Sequence, residues 1–159
     1  MLGVLTAVAL RPDGIALIGG GPVPGAEQLL AILDNGSLDP AFVHSAYQYS
    51  GIRALVSEAD GDVLVGMVSV TGPTAHEGIC RVRPSGAMDP DCDADVNGNV
   101  TSLAATADGP LYLAGGFTSV LGAARTRLAR TQRTGLSLQL KAFLGGAWLG
   151  GGLMSDALT

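Results

Sequence analysis

The sequence predicts an all-β fold built from three copies of one unit, and three observations support this. Glycine accounts for 24 of 159 residues and aromatic residues for only 4%, a composition typical of short strands and tight turns. Hydrophobic residues make up 47% and charged residues 14%, so the chain can bury a core. Asp-Gly pairs recur at Gly14, Gly61 and Gly109, 47 and 48 residues apart, and such a period is typical of repeat architectures.

Each Asp-Gly pair lies between two short apolar runs. The runs before the pairs are LTAVALRP, IRALVSEA and VTSLAATA, and those after them are IALIGGG, DVLVGMV and PLYLAGG. Because glycine accepts the positive φ of a tight turn, this pattern predicts a hairpin in each copy. Both faces of these strands are small and apolar, which favours sheets packed between neighbouring sheets.

A second set of glycine marks predicts the remaining strands of each copy. They are Asn35-Gly36, Ser85-Gly86 and Thr134-Gly135, spaced 50 and 49 residues apart. A third strand precedes each mark, at 28–33, 78–83 and 127–133. After the first two marks, SLDPAF and AMDPDC predict a fourth short strand that ends in a turn begun by Asp-Pro.

Four short strands in about 48 residues match the size of one β-propeller blade. The sequence therefore predicts a partial β-propeller of about three four-stranded blades, at residues 1–42, 43–92 and 93–138. Residues 139–159 form a Gly-rich tail that could open a fourth blade. Three blades cannot close a ring, so two apolar faces would be exposed. Either the chain is a fragment, or the ring is completed by a partner or by oligomerisation, with two chains in a six-bladed ring as the simplest case.

The clearest copy reads DGPLYLAGGFTSVLGAARTRLARTQRTG, and NGSLDPAF and SGAMDP come from the other two. These segments resemble the delta-60 repeat, over most of residues 2–138. Copy one departs from the pattern, with Gly20-Gly21-Pro22 in place of Gly115-Gly116-Phe117 and Ala31 in place of Arg81 and Arg130. The resemblance implies a β-propeller, often found in large secreted, cell-surface or virion proteins, and implies no reaction. An extracellular, cell-surface or virion location is therefore expected.

Candidate contact residues lie mainly in the third copy. Arg125, Arg127 and Arg130 could bind a carboxylate, a phosphate or an acidic partner, and strand spacing would place Arg125 and Arg127 on one face. The alternative is a solvated edge that blocks unwanted strand pairing. Phe117 and Trp148 are the aromatic candidates for contact with a partner or sugar, and the tail around Trp148 could complete a neighbour's blade.

One acidic segment imitates half of a calcium loop. Asp93, Asp95 and Asn97, followed by Gly98, place oxygens at alternate positions before a sharp turn. The twelfth position is Ala104 instead of glutamate, so an acidic turn between blades is the alternative, and no cofactor is predicted. Cys80 and Cys92 form one bridge or none and lack the second pair that a zinc site needs, and a buried thiol is the role expected for Cys92.

The net charge and the lengths of the apolar runs reduce the number of functions that the sequence could have. The net charge of −5 argues against nucleic acid as a partner, and no apolar run predicts a membrane span. Residues 1–10 read as a strand and not as a signal peptide. The sequence predicts a non-catalytic scaffold for protein assembly, with carbohydrate binding by a lectin-like module as the alternative. A glycan-active enzyme would need paired carboxylates across a pocket, whereas the acids here cluster in turns.

Overall fold

The structure is a computed structural model that describes residues 4–21, 28–42, 48–71, 76–90, 95–106, 109–134 and 137–142. Within these ranges the regular secondary structure is entirely β, with no helix, and the strands form several small antiparallel sheets. The all-β class predicted from the sequence is confirmed.

Sheet 1 is a three-stranded meander. It consists of β1 (Val4–Leu10), β2 (Ala16–Gly21) and β3 (Gln28–Ile32), in the order β1-β2-β3. Val8 pairs with Ile18, and Ile18 pairs with Leu30, so these three side chains share one face of the sheet. The bounds agree with the predicted strands to within one or two residues.

Sheet 2 repeats this meander and adds one strand that the sequence pattern did not predict. It consists of β4 (Gln48–Ser50), β5 (Ala54–Ser57), β6 (Val63–Thr71) and β7 (His76–Val82). β6 lies between β5 and β7. It continues past a register shift that follows Gly66 and ends three residues after the predicted segment DVLVGMV. The extra length leaves an edge with which β4 pairs, from Gln48 opposite Thr71 to Ser50 opposite Ser69.

Sheet 3 has four strands, which are β8 (Val100–Ala105), β9 (Leu111–Gly115), β12 (Leu128–Thr134) and β13 (Ser137–Ala142). Their order across the sheet is β13-β12-β9-β8. Between β9 and β12 lies a separate small hairpin, β10 (Ser119–Val120) and β11 (Ala123–Ala124). Its two turn residues, Leu121 and Gly122, have φ of 53° and 71°, the left-handed pair that a tight hairpin turn requires.

Four of the turn glycines that the sequence pattern singled out form the same turn: Gly14, Gly36, Gly61 and Gly86. In the first, the Gly14 amide donates to the Arg11 carbonyl, the Arg11 amide donates to the Ile15 carbonyl, and Gly14 has a φ of 88°. The same two hydrogen bonds and a positive φ recur at Gly36, Gly61 and Gly86. Glycine therefore occupies the fourth position of a bulged turn, and the hairpins predicted at the first two Asp-Gly pairs are confirmed. In the third copy Asp108 lies outside the described residues. Gly109 donates its amide to the Thr106 carbonyl, but its φ is not left-handed, so the positive φ predicted there is wrong.

The predicted fourth strand is wrong for copies one and two, where it shrinks to a single bridge. Leu38 bridges to Ile32, and Met88 bridges to Val82. The next residue in each case is an aspartate whose amide still donates, Asp39 to the Ala31 carbonyl and Asp89 to the Arg81 carbonyl. Proline follows and has no N–H to continue the ladder, so pairing stops there. β13, whose segment SLQLKA contains no proline, forms a full strand.

Two apolar cores lie on the two faces of sheet 2. Val63, Val65 and Met67 of β6 belong to the core shared with sheet 1, whereas Leu64 belongs to the core shared with sheet 3. The alternation follows from the two-residue period of a strand. The strands that open the three meanders also contact one another, β1 with β5 and β5 with β8. The predicted packing of a sheet between two neighbours is confirmed for sheet 2.

Substitutions at two glycines separate the cost of backbone conformation from that of close packing. Gly36 has a φ of 83° and open space around it, whereas a Cβ on Gly78, with a φ of 76°, would lie 2.6 Å from the Gly98 carbonyl oxygen. We expect Gly36→Ala to lower the free energy of unfolding by about 1–2 kcal/mol, the cost of a left-handed alanine. Gly78→Ala should cost clearly more in urea unfolding, and equal losses would contradict the packing at Gly98.

Candidate functional site

The arginine candidates do not form the strand face that the sequence suggested. Arg125 and Arg127 lie in the connection between β11 and β12, where their amides donate to the carbonyls of Thr118 and Phe117. Arg127 has a φ of 65°, outside the range of an extended strand. The expectation that the two residues share a strand face is therefore wrong. The half-buried Arg125 donates from Nη1 to the Ala124 carbonyl at 2.7 Å.

Of the two aromatic candidates, only Phe117 lies within the described residues. Its side chain is 0% exposed and belongs to the core between sheets 2 and 3. This corrects the expectation that Phe117 contacts a ligand, because a buried ring cannot reach one. The aromatic residue in the repeat pattern anchors the β10–β11 hairpin instead. Trp148 and the tail around it lie outside the described residues.

Asn97 has a structural partner in place of the cation that the calcium pattern suggested. Its Oδ1 accepts from the amides of Thr118 at 2.9 Å and Ser119 at 2.8 Å, which occupies both lone pairs of that oxygen. Its Nδ2 donates to the Thr118 hydroxyl at 2.8 Å. The Asp95 carbonyl accepts from the Leu121 amide. These contacts favour the alternative of a turn between repeats that holds the hairpin, and Asp93 lies outside the described residues.

A calcium titration of Asn97 variants distinguishes the two roles. We expect Asn97→Ala to lower the free energy of unfolding by about 1–3 kcal/mol, because it removes three hydrogen bonds. Asn97→Asp keeps both acceptor contacts and should lose less, with no change in Tm on adding millimolar Ca²⁺. A Tm that rises with Ca²⁺, and rises further in Asn97→Asp, would contradict this assignment.

Copy two contains a buried cluster of charged side chains that the sequence pattern did not predict. Arg81 is 3% exposed, and its Nε lies 3.0 Å from Glu58 Oε2 and 3.8 Å from Asp62 Oδ2. Its Nη1 lies 3.5 Å from an oxygen of the buried Asp89, whose other oxygen is 3.0 Å from Arg83. The available signal was the sequence Glu58-x-Asp60-x-Asp62 around the second Asp-Gly turn. Spacing alone did not show that an arginine from β7 would reach it.

Two of the carboxylates around the second Asp-Gly turn, those of Glu58 and Asp62, lie within ion-pair distance of Arg81. Oxygens of Glu58, Asp60 and Asp62 all lie within 4.8 Å of one another, a grouping that could hold a cation. The guanidinium already supplies the positive charge there, and a buried ion pair requires such compensation. Burial, and next the neighbouring Asp60, raise the pKa of the Asp62 carboxyl above its ordinary value, against the lowering effect of Arg81 and Arg83. The cluster therefore reads as an internal ion-pair network.

Equivalent arginines in two copies offer a matched test. We expect Arg81→Met to lower the free energy of unfolding by about 3–5 kcal/mol, because three carboxylates lose their buried cation. Arg130, which occupies the same repeat position in copy three, is exposed. Arg130→Met should change stability by no more than about 0.5 kcal/mol. Equal losses in chemical denaturation would contradict the burial difference between the two positions.

Repeat-equivalent residues differ in exposure between sheet 3 and the two sheets that precede it. Tyr112 is 45% exposed, whereas Leu17 and Leu64 at the same repeat position are 1% and 0% exposed. Leu128 is 49% exposed, whereas Leu29 and Ile79 are 0% and 1% exposed. The same positions are thus buried wherever a following sheet covers them. The outer faces of sheets 1 and 3 form the candidate functional site.

Sheet 1 exposes the opposite side of the repeat. Val8 is 70% and Leu10 is 68% exposed. Leu55 and Leu103, at the position of Val8 in the later copies, are partly buried against the two cores. Among the described residues, no neighbouring sheet covers this apolar face of sheet 1, and none covers the complementary face of sheet 3 at the other end of the stack.

Comparisons with protein-family models, curated proteins and solved structures find no match. The resemblance to the delta-60 repeat consequently depends on the quoted residues alone, and function is inferred from the geometry of the sheets. Among the described residues, no helix is long and apolar enough to cross a membrane.

Proposed function

We propose that this chain is a non-catalytic structural and binding scaffold of the β-propeller type, in which the three sheets are consecutive blades. The order of strands supports this proposal, since each sheet contains an antiparallel meander of three strands, β1-β2-β3, β5-β6-β7 or β8-β9-β12. Contacts between the strands that open neighbouring meanders also support it, because blades pack around an axis lined by such strands.

One observation carries the proposal of assembly. Tyr112 is exposed at one end of the stack, whereas Leu64 at its position in sheet 2 is buried. Val8 is exposed at the other end, whereas Leu55 at its position in sheet 2 is partly buried. Contiguous exposed apolar surface on a folded domain marks an interaction site. The function that fits is the joining of further sheets, so that the ends of the scaffold become covered when the assembly forms.

The described residues offer less support for the two alternative functions, a lectin-like module and a glycan-active enzyme. A lectin-like site needs exposed aromatic platforms, and Tyr112 is the one aromatic residue among the large exposed hydrophobic side chains described. A glycan-active site needs two carboxylates facing a pocket, whereas the close group of Glu58 and Asp62 surrounds Arg81. A glycan array would detect the first alternative.

The native mass of the purified chain tests the proposal. We expect light scattering at micromolar concentration to give a discrete multiple of the 16.0 kDa chain, with two chains and six blades as the simplest closed case. Dilution should shift the mass towards one chain, because association is governed by mass action. A folded single chain across the whole concentration range would overturn the proposed assembly.

A further inference from the structure

We infer that sheet 1 of one copy docks on sheet 3 of a second copy, in the same head-to-tail arrangement that joins sheets within the chain. This inference rests on the proposed function and names its partner. We call the outer face of sheet 1 the leading face and the outer face of sheet 3 the trailing face. The leading face comprises Val8, Leu10, Ala16, Ile18, Leu30 and Ile32, and the trailing face comprises Ser102, Ala104, Tyr112, Ala114, Leu128 and Arg130.

Strand register shows that every sheet has the same two faces. On the leading side, the paired row Val8–Ile18–Leu30 of sheet 1 corresponds to Leu55–Val65–Cys80 of sheet 2 and Leu103–Leu113–Ala129 of sheet 3. The row of sheet 2 belongs to the core shared with sheet 1, and the row of sheet 3 to the core shared with sheet 2. The leading side therefore always faces the preceding sheet.

The trailing side obeys the complementary rule. Its central rows are Ala9–Leu17–Ala31 in sheet 1, Val56–Leu64–Arg81 in sheet 2 and Ala104–Tyr112–Arg130 in sheet 3. Leu17 lies in the core shared with sheet 2, and Leu64 in the core shared with sheet 3. Each row carries its largest apolar residue at the centre, and in the first two sheets the following sheet covers that residue.

Both internal interfaces thus join a trailing face to the leading face of the next sheet. The third trailing face and the first leading face are the same two surfaces without a neighbour within the described residues. A second copy of the chain carries both a leading face and a trailing face. Its leading face can therefore pack on Tyr112 of the first copy in the same way that sheets 2 and 3 pack on the sheets before them. Docking two leading faces together would leave the trailing faces uncovered and would use a pairing that neither internal interface shows.

The chemistry of the two faces suits this partner. The leading face is apolar throughout, and the trailing face combines Tyr112 and Leu128 with the charged Arg130 at the end of its row. In sheet 2 the equivalent Arg81 is compatible with a covering sheet, because turn residues of its own sheet hold its charge. A long arginine stem can cover apolar surface while its charged head stays at a polar rim.

Two acidic substitutions test each face separately. Val8→Asp alters only the leading face and Tyr112→Asp only the trailing face, and both sites are exposed in the single chain, so folding should be retained. Each should weaken self-association by about 100-fold or more, because docking would bury an unpaired carboxylate. Val68→Asp is the control, since Val68 is 40% exposed on sheet 2, whose two faces are already packed. It should leave association unchanged.

Mixing the two variants establishes the polarity. In an equal mixture, an intact trailing face of Val8→Asp meets an intact leading face of Tyr112→Asp. We expect a one-to-one complex by native mass spectrometry with one variant isotope-labelled, although neither variant associates alone. Circular dichroism of each variant verifies that the sheets are formed.

The outcomes separate this inference from the proposed function. A wild-type chain that remains single overturns the head-to-tail docking and the proposed self-assembly together. A wild-type chain that associates while both Val8→Asp and Tyr112→Asp associate equally well overturns the head-to-tail docking and leaves the scaffold standing. Disruption by Val8→Asp alone would mean that two leading faces dock together, which also overturns the inference.

Discussion

The structure depends on the requirement that sheets with two apolar faces be covered on both. Strands such as β6 carry apolar side chains on both faces of their sheet. Exposing either face to water therefore costs about 25 cal/mol of free energy for each Å² of apolar surface. Sheet 2 satisfies the requirement within the chain, because Val65 packs towards sheet 1 and Leu64 towards sheet 3. Within the described residues, the end sheets satisfy it on one side only. The stacking of the sheets follows from this constraint, and so does the assembly that we propose.

Local chemistry sets how each sheet is bounded. The recurrent bulged turns need a residue with positive φ at their fourth position, which glycine supplies without steric cost. Proline after Asp39 and Asp89 ends the ladder of the fourth strand, because it has no N–H to donate. Sheets 1 and 2 consequently finish in a single bridge at the position where sheet 3 adds β13. The three copies therefore share their inner meander and differ at their outer edge.

Repeat-equivalent positions have diverged where the contacts across the repeat differ. Arg81 is buried because Glu58, Asp62 and Asp89 surround it. The same position is Ala31 in sheet 1, where a small side chain packs in the core, and Arg130 in sheet 3, where the side chain is exposed. Likewise, Gly78 and Arg127 share a repeat position and both have a positive φ. The backbone conformation of the repeat is thus preserved more closely than its side chains.

The sequence by itself determined the all-β class and most strand positions. It could do so because turn glycines and short apolar runs act over a few residues and recur at a fixed period. Strand β4 was missed because it pairs with an extension of β6 more than fifteen residues away, and its own three residues carry no distinctive pattern.

Only the tertiary structure decided which candidate residues are accessible. The sequence makes Phe117 a candidate contact residue, but its side chain lies in a core, and only the structure shows that Arg81 lies in an ion-pair network. Asn97 resembles a cation ligand, but its oxygen holds the β10–β11 hairpin. The faces around Val8 and Tyr112 are recognised as exposed only when these residues are compared with their equivalents in the other sheets, which are partly buried for Val8 and buried for Tyr112. Burial depends on which sheet packs against a residue, and that contact joins segments whose separation the local pattern does not encode.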